Sequence, residues 1–150
     1  MELRRRFVDR RGAHVLSAFI DSMDWATALA RISDWAAQRE SLCICNVHSV
    51  VTAGQDADFG RVLAGADMAT PDGAPVAWML RRLGFPNQQR INGPDLMWKY
   101  CAQAATRGEA IYLYGGLRET LDILQRHLLA AHHGLKVAGM YSPPFWTLTD

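Results

Sequence analysis

The chain has 150 residues, of which 49% are hydrophobic and 21% are charged, and its formal net charge is +1. This balance excludes the disordered and low-complexity classes, and the length predicts a single domain with its own core. A net charge so close to zero gives no support to nucleic acid as a partner.

The N-terminal stretch is basic. Its arginines would each contribute about 1 kcal/mol beside an anionic membrane surface, but a solvated arm is the simpler interpretation. We therefore predict a basic arm over residues 1–14 and a folded domain over residues 15–150. No secretory signal is evident, and no apolar stretch reaches the ~20 residues of a membrane-spanning helix. The arginines are Arg4, Arg5, Arg6, Arg10 and Arg11.

Predicted helices and strands alternate along the chain. Apolar residues at helical spacing indicate a helix over 24–37, and the apolar run at 42–47 indicates a buried strand. Two short helical pieces follow, with Asp56 or Asp58 as a cap, and then a brief strand at 67–70. The later elements are a helix over 74–82, a polar loop over 83–93, a helix from Pro94 to Gly108, a strand over 110–116, a helix over 118–131 and a strand at 135–141.

This order predicts the α/β class, with a Rossmann-like parallel sheet and helices on both faces. In such sheets, ligands gather beyond the carboxyl ends of the strands. Asn46, Asp72 and the pair Gly115 and Gly116 all lie at the carboxyl ends of predicted strands. These residues are therefore the first candidates for a binding site.

The tripeptide Pro-Asp-Gly at 71–73 allows two interpretations. Proline, aspartate and glycine together make tight turns, so Asp72 could serve only the bend. The tripeptide also lies between a predicted strand and a predicted helix, where an α/β protein places its ligand-binding loop. Both interpretations stay open from the sequence.

The segment "YLYGGLRET" resembles a phosphate cradle, because two glycines allow close approach to a helix N-terminus. It lacks the spacing of dinucleotide and ATP-binding loops, and a plain tight turn is an equal alternative. Asp56 and Asp58 form an Asp-x-Asp pair of the kind that holds divalent ions. Their position at a predicted helix start favours capping instead.

Four motifs in order, "ATPDGAPV", "RINGPDL", "IYLYGG" and "GMYSPPF", resemble the WecG/TagA/CpsF family of bacterial glycosyltransferases. The resemblance covers roughly residues 15–147. It implies an inverting transferase of the hexosyltransferase type that acts in cell-surface polysaccharide synthesis. The donor would be a UDP-sugar carrying N-acetylmannosamine, its uronate, glucose or a related sugar, and the acceptor a polyprenyl-diphosphate-linked glycan.

The resemblance also assigns residues. Asp72 would be the catalytic base, a role worth about 10²- to 10⁴-fold in rate. Ile44 departs from the family, since some relatives carry a hydroxyl residue there. The expected substrate-binding residues are Asn46, Thr70, Gly73, Arg90, Asn92, Gly93, Asp95, Gly115 and Gly116.

The same resemblance sets expectations about partners. We expect no cofactor, since the UDP-sugar is a substrate, and we expect a reaction without a metal. We also expect a cytoplasmic location, with peripheral contact at the inner face of the membrane. A homo-oligomer stays open. Relatives continue past the position of Asp150 with a Pro-Lys-Gln-Glu-like motif and a basic tail, so we expect a domain that is incomplete at its C-terminus. The alternative function is a non-catalytic nucleotide-sugar-binding module or an inactive fragment of such an enzyme.

Overall fold

The computed structural model describes residues 10–35 and 40–144. The chain divides into two compact units, the first ending at Leu96 and the second beginning at Met97. Among the described residues, no helix has the length and apolar character needed to cross a membrane. In chain order the elements are β1 (Gly12–Val15), β2 (Ala18–Asp21), α1 (Trp25–Trp35), β3 (Leu42–Cys45), α2 (Val47–Gln55), α3 (Ala57–Gly65), β4 (Met68–Pro71), α4 (Ala74–Arg82), α5 (Gly93–Arg107), β5 (Ala110–Tyr114), α6 (Arg118–Ala131) and β6 (Lys136–Tyr141).

Parallel strand pairs form the centre of each unit. In the first unit β3 pairs with β4, and Cys45 lies opposite Pro71 at the carboxyl end of the pair. In the second unit β5 pairs with β6, and Tyr114 lies opposite Tyr141. Helices connect these strands, as parallel pairing requires. The predicted α/β class with Rossmann-like parallel pairing is therefore confirmed.

An antiparallel hairpin precedes these elements and was not predicted. Strands β1 and β2 pair from Gly12 opposite Asp21 to Val15 opposite Ala18. The two turn residues are Leu16, with a φ of 53°, and Ser17. Two-residue hairpin turns usually carry Asn-Gly or Asp-Gly, so this turn gives no strong signal in the sequence. Strand β1 begins inside the stretch that we assigned to the arm, whose residues 1–9 lie outside the described part.

The prediction of a solvated arm is wrong for Arg10. Its guanidinium donates to the carboxylate of Asp21 through Nε at 2.9 Å and Nη2 at 2.5 Å. The side chains of Arg10 and Asp21 are 9% and 0% exposed. Arg10 also donates to the carbonyl of Ala66, and Asp21 accepts from the backbone of Ala69. Asp21 therefore joins β2 to β4 through Ala69, and Arg10 joins the segment before β1 to Ala66, just before β4.

The core of the first unit lies between the hairpin, the β3–β4 pair and helices α2, α3 and α4. Strand β4 is buried along its whole length. Each fully buried valine, leucine or isoleucine of this core contributes about 1.5–3 kcal/mol to folding. The rigid core fixes the carboxyl ends of β3 and β4. Its buried members are Val15, Ala18, Ile20, Cys45, Val50, Leu63, Ala69, Val76 and Leu80.

The second unit has its own core, built from helices α5 and α6 and the inner face of β5. Leu121, Leu124 and Leu128 of α6 recur at helical spacing and pack in this core, whereas Leu129 is exposed. The alternation along β5 leaves Tyr112 and Tyr114 exposed on its other face. The buried members of the core are Cys101, Ala104, Leu113, Leu121, Leu128 and Leu135.

Candidate active site

Two adjacent strand ends bring Asn46 and Asp72 together. Cys45 and Pro71 are register partners, and the next residue along each strand is one of these two. A Cβ placed on Gly73 would lie 3.9 Å from the Cβ of Asn46, so the Asn46 side chain borders the Pro-Asp-Gly loop. The parallel pairing of β3 and β4 therefore brings together two of the residues that the sequence analysis placed at strand ends.

The bend at Asp72 is made by its backbone. The Asp72 amide donates to the carbonyl of Cys45 at 2.8 Å and to that of Thr70 at 3.0 Å. Its carboxylate instead accepts from Nη2 of Arg90 at 3.4 Å, and the side chain is 21% exposed. In the described part of the chain, the Asp72 carboxylate therefore forms no hydrogen bond within its own turn, and its contact is with Arg90. This geometry favours the ligand-loop interpretation of Asp72.

Gly73 makes the transition from the loop to α4. Its φ of 127° and ψ of 137° lie in a region that only glycine adopts without strain. Helix α4 begins directly after it, with Pro75 in its first turn and no side-chain cap. Backbone N–H groups at such a helix start, together with the helix dipole, favour an anion. The glycine therefore places an uncapped helix N-terminus beside Asp72.

Ile91, the residue after Arg90, holds Arg90 close to Asp72. The amide of Ile91 donates to the carbonyl of Pro71 at 3.0 Å, and the Ile91 side chain is fully buried. The Arg90 side chain remains 55% exposed. Ile91 was not among the predicted site residues. An apolar residue inside the polar loop 83–93 was the signal that could have identified this anchor.

Asn92 and Asp95 are engaged with each other at the start of α5. The Asn92 Oδ1 accepts from the Asp95 amide at 2.9 Å, and its Nδ2 donates to the Asp95 carboxylate at 2.7 Å. Asn92 is only 8% exposed. The Asn92 side chain thus caps α5 and also binds the carboxylate of Asp95, the other predicted substrate-binding side chain. Gly93 follows, and a Cβ there would lie 3.6 Å from the Ile44 side chain.

Asn46 caps a helix, and Thr70 is buried in the core. The Asn46 Oδ1 caps α2 by accepting from the Ser49 amide at 3.0 Å, while the residue stays exposed. Thr70 is fully buried, and among the described residues its Oγ1 has no hydrogen-bond partner. The position of Thr70 therefore does not support its predicted contact with substrate, because its side chain lies below the surface of the site.

The Asp-x-Asp pair caps α3. Asp56 Oδ1 accepts from the amides of Asp58 and Phe59 at 2.9 and 3.0 Å. Asp58 forms an exposed ion pair with Arg61. Within the described ranges, no group of three or more His, Cys, Asp or Glu side chains could hold a metal ion. The capping interpretation of Asp56 is confirmed.

The glycine pair belongs to the second unit and forms the turn between β5 and α6. Gly115 and Gly116 have φ values of 101° and 69°. The Gly115 amide donates to the Tyr141 carbonyl at 3.0 Å, and the Gly116 carbonyl accepts from the Ser142 hydroxyl at 2.6 Å. A Cβ at either glycine would meet nothing within 4 Å. The positive φ values explain the glycines as turn residues, and the open space leaves room for a ligand.

The first unit thus concentrates groups that bind anions around one carboxylate. Helix α4 begins at Ala74 without a side-chain cap, two residues after Asp72, and the Arg90 cation lies beside the Asp72 carboxylate. Helix N-termini and guanidinium groups both stabilise phosphate. A carboxylate among them can accept a proton from a hydroxyl group. The arrangement is suited to a reaction in which a hydroxyl attacks a phosphate-bearing molecule.

Comparison with known proteins identifies the family of this chain. A relative from Bacillus spizizenii, an N-acetylglucosaminyldiphosphoundecaprenol N-acetyl-beta-D-mannosaminyltransferase, is 28% identical over 87 residues. That alignment covers 58% of this chain and 34% of the relative, so the chain spans about a third of the relative's length. Residues 13–150 match the model of the glycosyl transferase WecG/TagA/CpsF family. This match covers nearly the whole sequence, and the chain therefore belongs to the glycosyl transferase WecG/TagA/CpsF family.

Proposed function

We propose that the protein transfers a sugar from a UDP-sugar to a polyprenyl-diphosphate-linked glycan, with inversion at the anomeric carbon and Asp72 as general base. The observation that supports this most directly is the Asp72 carboxylate. It is partly exposed at the ends of two parallel strands and is not consumed by its own loop. A base must be free to reach the hydroxyl whose proton it accepts.

The chemical step is a single displacement. The acceptor hydroxyl oxygen attacks the anomeric carbon of the donor, and its proton passes to the Asp72 carboxylate. The new C–O bond forms as the bond between the anomeric carbon and the diphosphate breaks. The bonding electron pair leaves with UDP, so negative charge develops on the leaving group.

Arg90 and the N-terminus of α4 are proposed to stabilise that charge. Arg90 has an exposed guanidinium beside Asp72, and α4 begins there without a side-chain cap. Preorganised donors aimed at developing charge are worth about 10²- to 10³-fold in rate each. In this proposal the protein needs no metal, so transfer should be unchanged by a chelator such as EDTA.

The acceptor is proposed from the relative and from the family. The relative's name describes a mannosaminyltransferase that acts on N-acetylglucosaminyldiphosphoundecaprenol. We propose an acceptor of the same class here, which would place the protein at the cytoplasmic face of the membrane that holds such lipids. N-acetylmannosamine is the first sugar to test as the group transferred.

The test is a transfer assay with UDP-N-acetylmannosamine and a polyprenyl-diphosphate-linked N-acetylglucosamine, with the product followed by mass spectrometry. We expect product from the unsubstituted protein and a loss of about 10²- to 10⁴-fold in Asp72→Asn. Asp58→Asn is the matched control, because Asp58 lies in an exposed ion pair on α3. It should retain full activity.

Undiminished turnover by Asp72→Asn would show that Asp72 is not the base. Calorimetry with UDP tests the alternative function, a binding module without catalysis. Binding of UDP without transfer to any acceptor would support a nucleotide-sugar-binding module instead of an enzyme.

A further inference from the structure

The first unit also contains a polar cavity, whose lining residues differ from those of the candidate active site. Its volume is about 420 Å³. Pockets of about 300–1,000 Å³ accommodate small-molecule ligands. It lies between the start of α1 and the loop that follows α4. The lining residues are Arg11, Ser22, Met23, Asp24, Thr27, Arg31, Phe85, Pro86, Asn87 and Gln88.

Buried hydrogen bonds of Gln88 build one wall of this cavity. Gln88 is 5% exposed. Its Oε1 accepts from the Met23 amide at 3.0 Å, and its Nε2 donates to the Met23 carbonyl at 2.9 Å. Arg81 Nη1 donates to the Gln88 carbonyl at 2.9 Å from outside the lining. The two segments of the cavity are therefore held together before any ligand binds, which lowers the entropy cost of binding.

The charges in the cavity favour an anion. Arg11 and Arg31 both line it, and within the described residues neither forms an ion pair with a carboxylate. The Arg11 guanidinium lies over the ring of Phe85, 5.7 Å from its centroid, which holds this cation at the cavity wall. Guanidinium groups suit phosphate, because their planar N–H donors match two phosphate oxygens at once.

The one carboxylate in the lining is already engaged. Asp24 accepts from the Thr27 amide at 2.8 Å and caps α1. Its hydrogen bonds to Thr27 lower the pKa of Asp24, so it stays ionised and bound to the helix start. It does not neutralise the two arginines by direct pairing.

We propose that this cavity is a binding site for a phosphorylated ligand, with its phosphate held by Arg11 and Arg31. The side chains of Ser22, Thr27 and Asn87 offer further hydrogen bonds, and Phe85 and Pro86 offer an apolar surface to the rest of the ligand. The phosphate could belong to a soluble molecule or to a lipid headgroup. The site is independent of the proposed catalytic role of Asp72.

The test is titration of the full chain with inorganic pyrophosphate, followed by ¹H–¹⁵N amide shifts. We expect saturable shifts at Ser22, Thr27, Asn87 and Gln88. Arg31→Gln should weaken this binding about tenfold, because a charge-assisted hydrogen bond to the phosphate is lost. Arg11→Gln should do the same, and Arg11→Lys should restore part of the affinity because it keeps the charge.

Two controls separate this site from others. Arg61→Gln removes an exposed arginine on α3 and should leave the shifts unchanged. Arg90→Gln alters the candidate active site and should also leave them unchanged. The absence of saturable shifts at the cavity amides, or shifts that survive both Arg11→Gln and Arg31→Gln, would overturn the proposal.

A second arm identifies the source of the phosphate. Phosphatidylglycerol vesicles are compared with phosphatidylcholine vesicles in sedimentation with the unsubstituted protein and Arg31→Gln. Sedimentation with phosphatidylglycerol that depends on Arg31 would assign the site to a lipid headgroup. Pyrophosphate binding without such sedimentation would assign it to a soluble phosphorylated molecule.

Discussion

The Arg90 guanidinium lies 3.4 Å from the Asp72 carboxylate, although 18 residues separate the two in the chain. Charge-assisted N–H···O bonds usually measure about 2.7–2.9 Å, so this contact is a long one. A long, exposed pair contributes little to stability and is readily exchanged for a ligand. Arg90 therefore lies beside the Asp72 carboxylate and leaves it available to a ligand.

The first prediction concerns Arg90. Arg90→Gln should lower kcat/KM for sugar transfer by about 10²-fold, because a cation that meets developing negative charge is lost. Its free energy of unfolding should change by less than about 0.5 kcal/mol, as for other exposed substitutions. Steady-state kinetics and urea unfolding measure the two quantities. Arg90→Lys should recover only part of the activity, and full activity in Arg90→Gln would contradict the role.

The second prediction concerns the backbone at Gly73. Gly73→Ala should destabilise the fold by about 1–3 kcal/mol, since its φ of 127° strains any residue with a Cβ. The cause is strain and not a clash, because the nearest atom to an added Cβ lies 3.8 Å away. The shift in the urea midpoint measures this cost. Gly65→Ala is the control, with no atom within 4 Å of the added Cβ, and an equal effect of the two substitutions would refute the explanation.

The third prediction concerns the buried pair of Arg10 and Asp21. Asp21→Asn should cost about 3–5 kcal/mol, because it leaves the 9% exposed Arg10 without its countercharge. Asp58→Asn breaks an exposed pair and should cost less than about 1 kcal/mol. Chemical denaturation of both variants gives the comparison. Similar losses in the two would mean that the Arg10 pair does not hold the hairpin to β4.

The fourth prediction concerns alkaline pH and Tyr100. Burial, with a hydrogen bond to Glu109 as the second cause, raises the pKa of Tyr100 from 10.0 to about 12. Between these values the unfolded chain has lost the proton that the folded chain keeps, so stability falls as the pH rises from 10.0 towards 12. Tyr100→Phe should show a smaller fall in Tm over this range.

The control for this prediction is Tyr112→Phe, which alters a tyrosine that is 59% exposed. It should leave the pH dependence of Tm unchanged. Burial also raises the pKa of Cys45 to about 12, so the Tyr100 contribution is the difference between variant and unsubstituted protein. An identical alkaline profile in Tyr100→Phe would show that Tyr100 has no part in it.

Much of the fold could be predicted from local patterns. The apolar spacing and glycine positions predicted α4 and α6 with the bounds that the structure gives, because helix periodicity and capping are properties of neighbouring residues. The hairpin of β1 and β2 was not predicted, because its turn residues, Leu16 and Ser17, are not typical of hairpin turns. Its pairing is antiparallel, so no crossover helix marks it in the sequence. Arg10 escaped because its partners Asp21 and Ala66 are distant in the chain.

By itself the sequence determined the α/β class, the strand-end position of Asp72, and the family, because these depend on local periodicity and on ordered motifs. Only the tertiary structure decided how the individual side chains are used. It made Asn92 a helix cap that also binds Asp95, buried Thr70, and placed the Asp72 carboxylate beside Arg90. The physical reason is that a polar side chain binds the nearest suitable partner in space, and the sequence does not contain that distance.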